Sequence, residues 1–118
     1  MTGSVGYHAG LRAEDIVVRH YRAAGASVAA TRWRGAAGEI DLVMQANDVT
    51  IFVEVKKSRS FAQAAHRLGP RQIARICAAG AEFLAGQPLG QLTETRFDLA
   101  LVDGQGAVKV IENAFMAA

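Results

Sequence analysis

The sequence holds one cysteine, two prolines and three histidines in 118 residues. A lone Cys77 cannot close a disulfide within the chain, and it rules out a cysteine-based zinc site. Its alanine-rich helical surroundings predict a buried, inert thiol. His8, His20 and His66 lack metal-ligand spacing and read as ordinary polar residues. No run of about 18 apolar residues is present, nor a signal-peptide layout. The expected setting is therefore cytoplasmic, with no membrane partner. The chain has no internal repeat and no phosphate-binding glycine loop.

What is present reads as one domain with a single core. Hydrophobic residues make up 51% and charged residues 20%, ordinary values for a globular chain. The net charge of +2 says little, but its distribution says more. Residues 1–75 carry eleven of the thirteen Lys and Arg and six of the eleven Asp and Glu, a net +5 against −3 for the rest. A positive first part suits a phosphate-backbone binder, and it also suits a solvated basic face.

Two apolar, β-branched runs dominate the pattern: Gly38-Glu39-Ile40-Asp41-Leu42-Val43 and Ile51-Phe52-Val53-Glu54-Val55-Lys56. The polar segment 45–48 between them predicts a β-hairpin. Alternation puts Val49, Ile51, Val53 and Val55 on one face and Phe52, Glu54 and Lys56 on the other. In the first run Ile40, Leu42 and Met44 share a face, opposite Glu39, Asp41 and Val43. With both apolar faces toward one core, Asp41, Glu54 and Lys56 converge. Two close carboxylates repel unless a cation lies between them, and Mg²⁺ is a natural neutraliser. A lysine beside it can orient a water and offset phosphate charge, which is phosphodiester hydrolysis. The ordinary alternative is a cross-strand ion pair on a solvated sheet face.

The order Asp41, then Glu54-Val55-Lys56, resembles the Asp…(Asp/Glu)-x-Lys signature of the PD-(D/E)XK, restriction-endonuclease-like nucleases. Closest in context is the uncharacterised, YraN-like bacterial family of predicted endonucleases, similar to Holliday junction resolvases. The resemblance spans nearly the whole chain: Gly10 with Glu14, Arg32-Trp33-Arg34, the hairpin, Arg96-Phe97-Asp98 and Glu112-Asn113-Ala114-Phe115. It implies an α/β fold, a three-layer sandwich with a central mixed sheet flanked by helices in the order αβββαββ. It further implies Mg²⁺ (or Mn²⁺) at Asp41 and Glu54, with Glu14 as a third carboxylate. Lys56 would be the catalytic lysine and Gln72 a polar neighbour of the site. DNA, including branched recombination or repair intermediates, would be the substrate, and a two-strand substrate would call for a homodimer.

Around this frame, residues 1–9 read as a loose tail and Gly10 to Ala24 as a helix stopped by Gly25. In that helix Glu14 has an ordinary reading too, an exposed acid in the first turn. Ser27 to Trp33 reads as a strand. Arg32, Trp33 and Arg34 can hold phosphates and stack on a base, or pack as a rim tryptophan with two snorkelling arginines. Residues 57–70 read as a basic loop carrying Lys57 and Arg59 toward nucleic acid, or as a plain connector. Pro70 opens a helix to Ala85 with Ile73, Ile76, Cys77, Gly80, Phe83 and Leu84 on its stripe, and Arg71 and Arg75, which crowd its first turns, are expected to contact nucleic acid, or to be ordinary exposed helix residues. Arg96 to Val102 and Val108 to Ile111 read as strands, with Asp98 structural and Phe115 anchoring the tail. The functional expectation is a metal-dependent endonuclease. The rival is a nucleic-acid-binding or scaffold protein that keeps the nuclease fold without useful catalysis.

Overall fold

The computed structural model describes residues 2–115, with side chains from Ala13 to Phe115. The elements are α1 (Thr2–Ala23), β1 (Ser27–Arg34), β2 (Glu39–Ala46), β3 (Val49–Lys57), α2 (Phe61–Ala65), α3 (Pro70–Ala85), a 3₁₀ turn (Gly90–Leu92), β4 (Glu94–Val102) and β5 (Val108–Ile111). The five strands form one sheet in sequence order. β3 and β4 are parallel and every other pair is antiparallel, so the sheet is mixed and the class is α/β. A parallel pair cannot be joined by a tight turn, and α2 and α3 form the crossover.

Alternation along the strands divides the core between two faces. Leu42, Met44, Ile51, Val53, Ala100 and Val102 pack against Val17 and Tyr21 of α1. Val43 and Phe52 pack against Ala79 and Leu84 of α3, and Leu99 and Leu101 against Ala64 of α2. Strands buried on both faces read as nearly continuous apolar runs, as β3 does. Gly80 lets α3 approach the sheet: a Cβ there would lie 3.0 Å from Phe97 and 3.2 Å from Phe52. Phe115 meets Phe97 edge-on at 5.8 Å and holds the C-terminal end against the sheet.

Asp98 is fully buried on the α1 face. It accepts hydrogen bonds from Tyr21 at 2.6 Å, from Arg96 at 2.9 and 3.0 Å, and from the Asn113 N–H at 3.2 Å. Burial and Asp98 together hold the Tyr21 hydroxyl well above its ordinary pKa. Asp98 is thus a satisfied structural charge, as its place among apolar residues suggested.

The sequence reading departs from the structure at four places. Residues 2–9 are helical rather than a loose tail. No proline precedes Pro70 to interrupt the i→i−4 ladder; Met1 lies outside the described residues. The segment 57–70 is not all loop, because α2 forms where Ser60 caps the Gln63 N–H at 3.2 Å and Ala64 buries under β4. Cys77 is exposed, not buried. The buried stripe of α3 runs Ile76, Ala79, Gly80 and Leu84, and Cys77 falls outside it. Finally, Ile40 packs with Val43 and Phe52 on the α3 face, opposite Leu42. Strict alternation fails at the residue between them, Asp41.

Candidate active site

That failure of alternation builds the site. The β2–β3 ladder runs from Ala46–Val49 to Leu42–Val53 and ends there. Beyond it, the Asp41 carboxylate accepts the Val55 N–H at 2.8 Å. A side chain has taken the role of a ladder carbonyl, and the two strands fork. The outer strand is irregular at the same level. β1 pairs Thr31 with Leu42 and Trp33 with Ile40, and Arg32 between them adopts φ 47°. A non-glycine residue in the left-handed region costs about 1–3 kcal/mol and persists only where its surroundings impose it.

The fork opens a cleft of about 290 Å³ lined by Glu14, Arg32, Asp41, Glu54, Lys56, Lys57 and Gln72, among others. α1 supplies Glu14, β3 supplies Glu54, Lys56 and Lys57, and α3 supplies Gln72. Sequence positions from 14 to 72 therefore meet in one place.

Glu54 is only 4% exposed. Its Oε2 accepts a hydrogen bond from Gln72 Nε2 at 2.6 Å and lies 3.5 Å from Lys56 Nζ. Its Oε1 is buried and accepts no hydrogen bond from a protein donor, and the Asp41 carboxyl stands within hydrogen-bonding reach of the Glu54 carboxyl. Burial, then the neighbouring Asp41 charge, push the Glu54 carboxyl up to about 8, against the pull of Lys56. Leaving a buried polar atom unmade costs about 1–3 kcal/mol, more for a charge. A structure that keeps such an oxygen beside a second carboxylate is set up to receive a proton or a cation. Glu14 contributes less directly. It is bound by Arg32 at 3.4 Å, and burial, then Asp41, raise its pKa.

Among the described residues, no group of three or more His, Cys, Asp or Glu side chains is clustered to hold a metal. An ion in this cleft would have the Asp41 and Glu54 carboxylates as its protein donors. Mg²⁺ and Mn²⁺ accept such a site, because Mg²⁺ keeps several waters and carboxylates suit both ions.

The other predicted residues fall in several places. Trp33 packs edge-on against Phe83 at 5.4 Å and joins the α3-side core rather than the cleft. Arg34 is exposed and pairs with Glu39 at 3.3 Å. Arg59 and Arg71 are exposed and do not line the cleft. Arg75 lines a second cleft beside the first, together with Gly38 and Glu39.

One residue was not singled out by the sequence. Glu82, near the far end of α3, accepts the Ala36 N–H at 2.8 Å and the Ala37 N–H at 2.7 Å. It thereby clamps the β1–β2 turn. Gly35 makes room for it, since a Cβ there would lie 2.8 Å from Glu82 Oε1. No local pattern marks a contact across 46 positions.

Comparison with known proteins agrees on relationship and is silent on activity. The model of "Uncharacterised protein family UPF0102" matches residues 13–102. A UPF0102 protein of Cereibacter sphaeroides is 58% identical over 117 residues, covering 99% of this chain and all of that protein. One from Roseobacter denitrificans is 54% identical over 112 residues, 95% of this chain and 87% of that protein. One from Dinoroseobacter shibae is 45% identical over 107 residues, 91% and 80% respectively. No helix among the described residues is long and apolar enough to cross a membrane. With its cleft built inside the matched segment, this chain belongs to the uncharacterised family UPF0102, the YraN-like family.

Proposed function

We propose that the cleft hydrolyses phosphodiester bonds in nucleic acid, DNA foremost, with Mg²⁺ or Mn²⁺ held by Asp41 and Glu54. The observation that carries this reading is the buried, unpartnered Glu54 Oε1 facing the charge of Asp41, with Lys56 on the same carboxylate. When bound, the metal supplies Lewis acidity and lowers the pKa of a water.

The remaining work falls to the chain. Gln72 fixes the Glu54 carboxylate by its 2.6 Å hydrogen bond. Lys56 orients the attacking water and offsets negative charge that grows on the phosphate. Arg32 and Lys57 line the approach and attract the backbone. Water adds to phosphorus, one P–O ester bond breaks, and the leaving oxygen takes a proton. The pattern Asp, then Glu-x-Lys, on neighbouring antiparallel strands is the one restriction-endonuclease-like nucleases share, and a mixed sheet with helices on both faces is compatible with that fold. A branched substrate cut on two strands would require two clefts, hence a homodimer.

Purified protein with Mg²⁺ or Mn²⁺ should nick or cut DNA, and Asp41→Asn or Lys56→Ala should abolish it. Cleavage that survives both changes removes the mechanism. One observation favours the alternative of a binding protein without catalysis. Glu14 is tied to Arg32, and no three-residue cage forms among the described residues. Metal-independent DNA binding without cleavage of linear, nicked, branched or single-stranded substrates would select that alternative.

A further inference from the structure

The two carboxylates stand between two clefts. Asp41, Glu54 and Gln72 line both. The first cleft draws its other walls from α1, β1 and β3, and it carries Arg32, Lys56 and Lys57. The second, of about 210 Å³, is walled by the β1–β2 turn at Gly38, by Glu39, and by Arg75 and Ile76 of α3. Since α1 and α3 pack on opposite faces of the sheet, a chain lying across the carboxylates passes from one layer to the other.

Arg75 is the odd group in the second cleft. Three carboxylates line that cleft, yet the Arg75 side chain makes no hydrogen bond or ion pair among the described residues. The acids are taken by others: Glu39 by Arg34, Asp41 by the Val55 N–H, and Glu54 by Gln72 and Lys56. Arg75 is exposed and lines the wall of a groove. Arg is the side chain best shaped to grip a phosphate through two parallel N–H donors. Beside it, Gly38 adds no side chain to the wall of the cleft.

We infer that the second cleft is a subsite for the phosphate next to the scissile one, gripped by Arg75, so that the strand is held on both sides of Asp41 and Glu54. This rests on the phosphodiesterase reading and adds a footprint to it. A cut made between two gripped phosphates requires nucleotides on both sides, so the substrate class is internal positions of a strand and not its terminal nucleotide.

The test uses labelled linear-duplex and four-way-junction oligonucleotides with the full-length protein and Mn²⁺. After the cut is mapped, each flanking phosphate is replaced in turn by a neutral methylphosphonate. On wild type, neutralising one flank should slow cleavage by about tenfold, and Arg75→Ala should cost about tenfold on the natural substrate. Combined, the two changes should cost little more than either alone, because they remove the same contact. Neutralising the opposite flank should remain fully additive with Arg75→Ala. Additivity on both flanks, or an unchanged rate for Arg75→Ala, overturns the subsite. If wild type cuts none of these molecules, the phosphodiesterase reading fails separately, and binding of the same oligonucleotides decides the subsite. Arg75→Ala should then lower the slope of log affinity against log salt by about one; an unchanged slope overturns it.

Discussion

Replacing Glu54 by Gln should make the metal-free protein more stable while it ends metal binding. The folded carboxyl titrates at about 8 rather than 4.5, because burial and Asp41 disfavour its charge. The folded state therefore keeps a proton that the unfolded chain releases near 4.5. Over that window the native state binds more protons, so stability falls as pH rises and levels off above about 8. Each pKa unit is worth about 1.4 kcal/mol, which sets a ceiling of about 5 kcal/mol. Relaxation and water entry reduce such penalties, and about 2–3 kcal/mol is the effect to expect. Glutamine mimics the neutral carboxyl. Its oxygen can take the Gln72 hydrogen bond, and its amide can occupy the place of the unpartnered Oε1 and face Asp41. Urea denaturation with EDTA from pH 4.5 to 9 would measure this. The two proteins should be close near pH 4.5 and diverge toward pH 9 in favour of Glu54→Gln. Saturating Mg²⁺ should raise the stability of wild type and leave the variant unmoved. A variant less stable than wild type at pH 8.5, or parallel curves throughout, would refute the reasoning.

Two further outcomes concern the scaffold. Asp98→Ala strips the anion that binds Tyr21, Arg96 and the Asn113 N–H, and should cost about 3–5 kcal/mol in chemical denaturation, against about 1–2 kcal/mol for Tyr21→Phe; a loss under about 1 kcal/mol for Asp98→Ala would show the network to be ornamental. Gly80→Val forces a branched side chain into a gap where a Cβ already lies 3.0 Å from Phe97, and should cost about 1–3 kcal/mol by thermal unfolding; an unchanged midpoint would mean α3 can lift freely from the sheet.

How far the sequence could be read depended on whether a signal was local. The hairpin of β2 and β3 was legible because valines and isoleucines alternate across a polar turn, where Asn47 takes φ 55°. The shared face of Glu54 and Lys56 was legible for the same reason, whereas Asp41 joins them at the point where alternation breaks. The fork that makes their cleft was not, since period-two alternation carries no mark of where it breaks, and Ile40 was assigned to the wrong face. α2 carried an overlooked local signal, Ser60 followed three residues later by Gln63, the signature of a capped helix start. Cys77 lies one step of helical phase off the buried stripe, a distinction that an alanine-rich helix does not mark. The β3–β4 parallel register and the reach of Glu82 to the β1–β2 turn depend on segments distant in sequence, and no window of neighbours contains them.

The grip of Glu82 on the Ala36 and Ala37 N–H groups has a mechanical corollary. The same helix carries Gln72 at one end and this clamp at the other, while the clamped turn leads directly into Asp41. The helix and the hairpin are therefore yoked, and a load that tilts one drags the other. A displacement of α3 would therefore reach Glu54 through Gln72 and Asp41 through the clamped turn at once, rather than one acid at a time.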